Sequence, residues 1–307
     1  MSMDDIGMPN QSFLLLRRRQ DSFSLCSGFL ALILVLACHV RADAVDGSRV
    51  PSKEADSGAP SEADTEIVTP FDKTRRMTDS VTEAVKHNDL GVAFVFKGDV
   101  GQAIDEFKHA LRLQPNYFAA HLNLANTLLD IRQYEEAIAE FREALHLKPD
   151  DPKAHNDLGV GLKAQGDLEG AIAEFKTVLR LRPGDINAHN NLGVTLKATG
   201  DLDGAMAEYR TAIDLQSSDV NAHYNLGLAL MDARDMEGAV AEFRTALHLR
   251  PNDGGIRFNL GTALANLGER MEAAQEFRHY LRIERDTPAN RRWIEQAEAN
   301  LRDLENP

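Results

Sequence analysis

The sequence predicts an all-α solenoid of six copied helix-turn-helix units closed by a C-terminal helix. Three observations carry that expectation. The phrase AHNNLG at 188–193 recurs as AHLNLA at 120–125, AHNDLG at 154–159 and AHYNLG at 222–227, so His121, His155, His189 and His223 stand 34 residues apart with no insertion. Six units of that length fill 84–287 without a gap (84–117, 118–151, 152–185, 186–219, 220–253 and 254–287). A fixed period of this size marks one supersecondary unit copied and stacked, each copy burying the next. Finally, small and large residues recur at fixed places inside the unit.

Numbering each repeat from 1 to 34, position 8 reads Gly91, Ala125, Gly159, Gly193, Gly227 and Gly261, and position 20 is alanine in every copy from Ala103 to Ala273. Two helices of a hairpin approach closely where side chains are small. Position 7 is always leucine, from Leu90 to Leu260, and position 24 is Phe107, Phe141, Phe175, Tyr209, Phe243 and Phe277. These are the expected knobs of the core. Between the two helices lie Lys97-Gly98-Asp99, Gln165-Gly166-Asp167 and Thr199-Gly200-Asp201. There a left-handed glycine ends one helix and an aspartate caps the next. Pro115, Pro149, Pro183 and Pro251 stop the second helix. Ser217 and Arg285 take that place in repeats four and six, so the fourth junction is expected to be looser. Residues 288–307 read as a capping helix, with Trp293, Ile294, Ala297, Leu301 and Leu304 at helical spacing, covering the apolar side of the last repeat.

Ahead of the array, residues 1–42 place Arg17, Arg18 and Arg19 before an apolar stretch that ends at Cys38, and then Ala42-Asp43-Ala44. That is the layout of an export signal or membrane anchor. The strongly apolar part, 28–38, is short against the ~20 residues of a membrane-spanning helix. Val35-Leu36-Ala37-Cys38 resembles the bacterial lipoprotein box, which makes Cys38 a lipid-attachment candidate. Cleaved signal, uncleaved anchor and lipidated N-terminus all remain open, and each implies an exported, periplasmic or envelope-associated protein. Residues 43–80 are rich in Ser, Pro, Asp and Glu, too apolar-poor to offset ordering entropy, and read as a disordered acidic linker.

The net charge of −14 argues against nucleic acid, which needs clustered Lys and Arg. Cys26 and Cys38 are the only cysteines, so the repeats hold neither a disulfide framework nor zinc-ligand spacing. No nucleophile motif or phosphate-cradling glycine loop appears, and neither catalysis nor a cofactor is expected. The histidine series is read as packing or rim. Packed helices lie ~8–10 Å apart, too far for their rings to share a zinc ion.

With Leu-Gly at positions 7 and 8, Ala at 20, Phe at 24 and Pro at 32, the unit resembles the tetratricopeptide repeat family. It departs at position 4, where the family often has tryptophan and this chain has histidine or Arg257, and at position 11, where leucine largely replaces tyrosine. The resemblance implies a right-handed superhelix whose first helices line a concave groove. It also implies a protein or peptide partner, as for bacterial envelope members of the family.

Position 6 carries an amide or carboxylate in every copy: Asp89, Asn123, Asp157, Asn191, Asn225 and Asn259. Such a series is similar to the asparagine ladder of the O-GlcNAc transferase repeat domain. It either grips the backbone of an extended peptide or is engaged by solvent and neighbouring helices. Asn126 at position 9 and Lys153, Lys163 and Lys197 complete the candidate groove, the lysines as receivers of a ligand carboxylate or as solvated charges. The two-carboxylate clamp of chaperone-binding relatives, Lys at position 5 and Asn at position 9, occurs in no repeat. The expected function is a non-catalytic interaction scaffold. Rival readings are a lipoprotein assembly factor and a substrate-positioning subunit of a separate glycosyltransferase or secretion machine.

Overall fold

The computed structural model describes residues 70–306 except 285, 286 and 289. The export layout at 1–42, Cys38 and the linker up to residue 69 lie outside the described residues. Among those described, thirteen helices and no strand are found. They are α1 (Pro70–Lys97), α2 (Val100–Leu113), α3 (Phe118–Asp130), α4 (Tyr134–Leu147), α5 (Pro152–Gln165), α6 (Leu168–Leu181), α7 (Ile186–Ala198), α8 (Leu202–Leu215), α9 (Val220–Asp232), α10 (Met236–Leu249), α11 (Gly254–Leu267), α12 (Arg270–Ile283) and α13 (Arg291–Glu305). The first helix starts at Pro70, inside the stretch expected to be linker through residue 80. Proline suits the first turn of a helix, and no glycine or further proline follows before Gly91.

Helix ends follow the local chemistry. Asp167, Asp201 and Asp235 accept the backbone N–H of Gly170, Gly204 and Gly238, each at 2.9 Å. Asp151, Asp185, Asp219 and Asp253 cap the first helices of repeats three to six in the same way. The hairpin turn needs one left-handed residue. Gly98, Gly166, Gly200 and Gly268 supply it, while repeats two and five force Arg132 (φ 64°) and Arg234 (φ 63°) into that region.

Each hairpin closes on its position-24 ring. A Cβ on Gly159, Gly193 or Gly227 would lie 2.7, 2.6 or 2.6 Å from the ring of Phe175, Tyr209 or Phe243. The recurring small residue therefore admits an aromatic knob, rather than letting two small faces meet. The position-20 alanines are fully buried beside these rings. Leu124, Leu158, Leu192, Leu226 and Leu260 are buried too, but Leu90 is 46% exposed because no repeat precedes it to cover it. At the other end, Trp293 packs edge-on against Phe258 at 5.4 Å and Ala297 is fully buried, so α13 covers the last hairpin.

Successive hairpins are tied by position 4. The Nδ1 atoms of His121, His155, His189 and His223 lie 2.5–2.6 Å from the carboxylates of Glu140, Glu174, Glu208 and Glu242 on the second helix of the same repeat. Their Nε2 atoms lie 2.8–3.0 Å from the carbonyls of Pro115, Pro149, Pro183 and Ser217 in the preceding turn. Both neighbours accept, so a ring that satisfies both carries two protons and a positive charge. Repeat six makes the same pattern with a permanent cation: Arg257 donates to Glu276 at 2.8 Å and to the Pro251 carbonyl at 2.7 Å. The histidines thus tie each hairpin to the preceding turn rather than only filling space. Ser217 holds the tie at 3.0 Å, the same as Pro183, so the fourth junction is not loosened there.

Burial pushes the His121 pKa down, but hydrogen bonds to Glu140 and the Pro115 carbonyl outweigh it and leave the value above the ordinary one. A histidine with a raised folded pKa stabilises fully below its unfolded pKa and loses that contribution as pH rises through the folded value. His121→Arg should keep the tie at all pH, so thermal melts of variant and wild type should coincide near pH 6 and diverge in the variant's favour as pH rises. In the two strained turns, Arg234→Gly should raise the denaturation midpoint. It removes ~1–2 kcal/mol of left-handed strain at about 1 kcal/mol of glycine entropy, a net gain of roughly half a kcal/mol.

Candidate binding groove

First helices touch the first helices of the next repeat along the whole array, whereas second helices meet only their hairpin partner and the following first helix. The first helices therefore form the inner, concave wall. Several contacts across this wall join residues 35 apart, with position 5 or 12 of one repeat facing position 6 or 13 of the next.

Three such contacts use the expected ladder. Asn123 Nδ2 donates to Asn88 Oδ1 at 2.9 Å, Asn191 Nδ2 to Asn156 Oδ1 at 3.0 Å, and Asn259 Nδ2 to the Tyr224 hydroxyl at 2.9 Å. Burial pushes the Tyr224 phenol up to about 12, with Asp253 adding to the rise, so it stays protonated while accepting this bond. Asn126 donates to the Leu122 carbonyl at 2.8 Å and reaches Asp157 at 3.4 Å. Asp157 also accepts from Lys153 at 2.6 Å. Asp89 is exposed and accepts from Asn88 at 3.4 Å. Lys197 pairs with Asp232 across the wall at 2.8 Å. Much of the ladder thus joins helix to helix.

The junction of repeats four and five is different. Asn190 donates to Asp219 at 3.1 Å, and its Oδ1 is buried with no hydrogen-bond partner. The amide cannot be turned over, since Oδ1 would then face the Asp219 carboxylate that caps α9. Asn225, which should donate to Asn190 by the register of the other junctions, makes no hydrogen bond. The neighbour in sequence explains this. In Asn88-Asp89 and Asn156-Asp157 the position-6 carboxylate draws the amide NH2 of position 5 toward itself and leaves Oδ1 facing the next repeat. Asn190 is followed by Asn191, so its NH2 turns to Asp219 instead. Asn190 and Tyr224 stand at position 5, around the expected ladder rather than in it. The signal that finds them is the 35-residue register, not any single position.

Lys163 has no carboxylate partner among the described residues, and burial holds its pKa below the usual lysine range. No group of three His, Cys, Asp or Glu among the described residues could hold a metal. No described helix is long and apolar enough to cross a membrane.

A stacked array of helical hairpins with a polar inner wall defines a helical-repeat interaction scaffold. Tetratricopeptide-repeat profiles match residues 88–152 and 224–290, and TPR-repeat profiles match 161–200 and 195–233. The chain belongs to the tetratricopeptide repeat family. Among solved structures it is similar to PilW, a widely conserved type IV pilus biogenesis factor, with TM-score 0.62, 19% identity, and coverage of 69% of this chain and 98% of that one. It is similar to PilF of Pseudomonas aeruginosa, with TM-score 0.58, 18% identity, and coverage of 72% and 99%. It is also similar to MamA, with TM-score 0.51, 25% identity, and coverage of 55% and 92%. The first two likenesses concern the fold alone. No curated protein matches the chain significantly.

Removing Asn191 should cost stability. Asn191→Ala deletes the bond to Asn156, and the denaturation midpoint should fall by about 1 kcal/mol. Asn225→Ala, deleting no bond, should leave the midpoint within ~0.5 kcal/mol of wild type.

Proposed function

We propose that the chain is a non-catalytic scaffold whose concave wall holds an extended segment of a partner protein, with its main grip at the junction of repeats four and five. The observation that carries this reading is the unsatisfied capacity there: a buried Asn190 acceptor and a free Asn225 amide, on a wall whose other asparagines are engaged. A buried acceptor without a partner costs ~1–3 kcal/mol, which a ligand N–H recovers. The backbone of an extended peptide offers one N–H and one C=O per residue, the complement of an acceptor beside an amide. The family relationship supports an interaction role. We further read residues 1–42 as an export signal or membrane anchor, and the array accordingly as an exported module.

The test is selection of random heptapeptides on the full chain. Peptides should be captured by wild type and by Asn191→Ala, and about tenfold more weakly by Asn225→Ala, the loss of one hydrogen bond in a desolvated site. Equal capture by Asn225→Ala would sink this placement of the groove. For the N-terminus, mass spectrometry of the mature protein should find a start beyond residue 42 or a diacylated Cys38; an intact Met1 chain overturns the processed forms.

A further inference from the structure

Lys163 stands at position 12 of the third repeat, and Lys197 at position 12 of the fourth. The two sit in the same register on successive inner helices, yet only one has a counterion. Lys197 reaches 35 residues ahead to Asp232 at position 13 of the fifth repeat, 2.8 Å away. The same step from Lys163 lands on Ala198, an exposed residue with no carboxylate. Lys153, the third lysine on this wall, is bonded to Asp157. Among the groove lysines, then, Lys163 alone has no carboxylate among the described residues.

The surroundings do not make this an ordinary solvated lysine. It is partly buried, and burial alone holds its pKa below the usual lysine range. A partly desolvated ammonium without a counterion is unfavourable, and one acidic group placed against it relieves that cost. The next two inner helices carry the unsatisfied Asn190 acceptor and the free Asn225 amide. Helices in contact lie ~8–10 Å apart, so α5, α7 and α9 together span about 16–20 Å, or roughly six residues of extended chain at ~3.3 Å each. A cation at one end of that span and an amide grip at the other define a polarity and a register for whatever lies between.

We propose that the segment held by this wall carries an aspartate or glutamate side chain that seats on Lys163, several residues from the backbone stretch gripped by Asn190 and Asn225. This inference rests on the groove reading above and adds the chemistry of the occupant. A partner supplies the carboxylate that Asp232 supplies to Lys197. The groove lysines at 153 and 197 are neutralised in pairs, which leaves Lys163 as the one without a carboxylate partner among the described residues. Attraction to an acidic residue is therefore short-ranged and specific to position, and it does not make the surface a general binder of acidic proteins.

The heptapeptide selection on the full chain tests this separately from the groove itself. Peptides selected by wild type should be enriched in a single Asp or Glu at one end of the bound register. Replacing that acid by Asn or Gln should weaken binding about tenfold or more, the loss of one charge-assisted contact. Two variants probe the lysine with the fold intact. Lys163→Met should abolish the acid preference while backbone-mediated capture persists. Ala198→Asp should do the same with Lys163 still in place, because it gives the ammonium the partner that Lys197 already has. A C-terminal carboxylate as the true ligand would show as loss of binding on peptide amidation with no internal acid selected, and it would overturn the proposal. Peptides captured without acid enrichment, or an acid preference unchanged in both variants, also overturn it while leaving the groove standing. Capture of no peptide at all overturns both readings.

Discussion

Every junction after the first repeat depends on a position-4 side chain whose two nitrogens face two acceptors. His121, His155, His189, His223 and Arg257 each hold a glutamate on their own hairpin and a carbonyl in the preceding turn. The two acceptors belong to different repeats, so the contact fixes the hairpin angle and the stacking step at once. Hydrogen bonds to charged groups contribute ~1.5–3 kcal/mol each where they are partly shielded. A pair such as Arg244 and Glu272, with side chains 57% and 54% exposed, contributes at most about 1 kcal/mol. Arg257 makes both contacts as a donor, which an imidazole can match only when both its nitrogens carry a proton. The stacking step is thereby set by charge as well as by the aromatic knobs.

A fixed step gives the inner wall a fixed register. Position 5 bonds position 6 of the next repeat at three junctions, and position 12 meets position 13 where Lys197 pairs with Asp232. Within that register the wall differs from junction to junction through single residues. Asp at position 6 turns the preceding asparagine so that it serves the next repeat; Asn at position 6 lets it turn away. Asp at position 13 neutralises a lysine; Ala leaves it charged. The copied scaffold supplies the geometry, and departures from the copy supply the unsatisfied groups. The groups proposed to grip a partner are already held in place, because the helices that carry them are fixed by ties and knobs elsewhere. The ordering cost that weakens flexible binding surfaces is correspondingly small.

The fold was legible because a 34-residue period repeats its evidence six times. The helix pairing, the caps at Asp167 and Asp201, and the role of the position-24 rings follow from types at fixed places. What escaped sequence reasoning concerns relations between places. The spacing of the histidines from one another speaks only against a shared metal; their tie lies with the glutamate that stands 19 residues later in every copy. The position-6 series looked like one uniform ladder, although its partners sit 35 residues away and differ in kind. Arg132 and Arg234 at left-handed positions were invisible to a rule that expects glycine there. Pro70, likewise, lay in a stretch whose Ser and Pro content masked a helix start.

These misses share a physical cause. Propensity and periodicity describe one segment against solvent or a generic core, and they therefore recover elements and faces. A buried amide is different: which neighbour takes its NH2 decides which way its oxygen points, and that depends on two or three residues far apart in sequence. Asn156 and Asn190 occupy equivalent positions and have the same side chain, yet one is a satisfied rung and the other an open acceptor. The difference lies in Asp157 against Asn191. In a repeat protein, unsatisfied groups therefore arise in the pairs that break the consensus, and those pairs become visible only once the step between repeats is known.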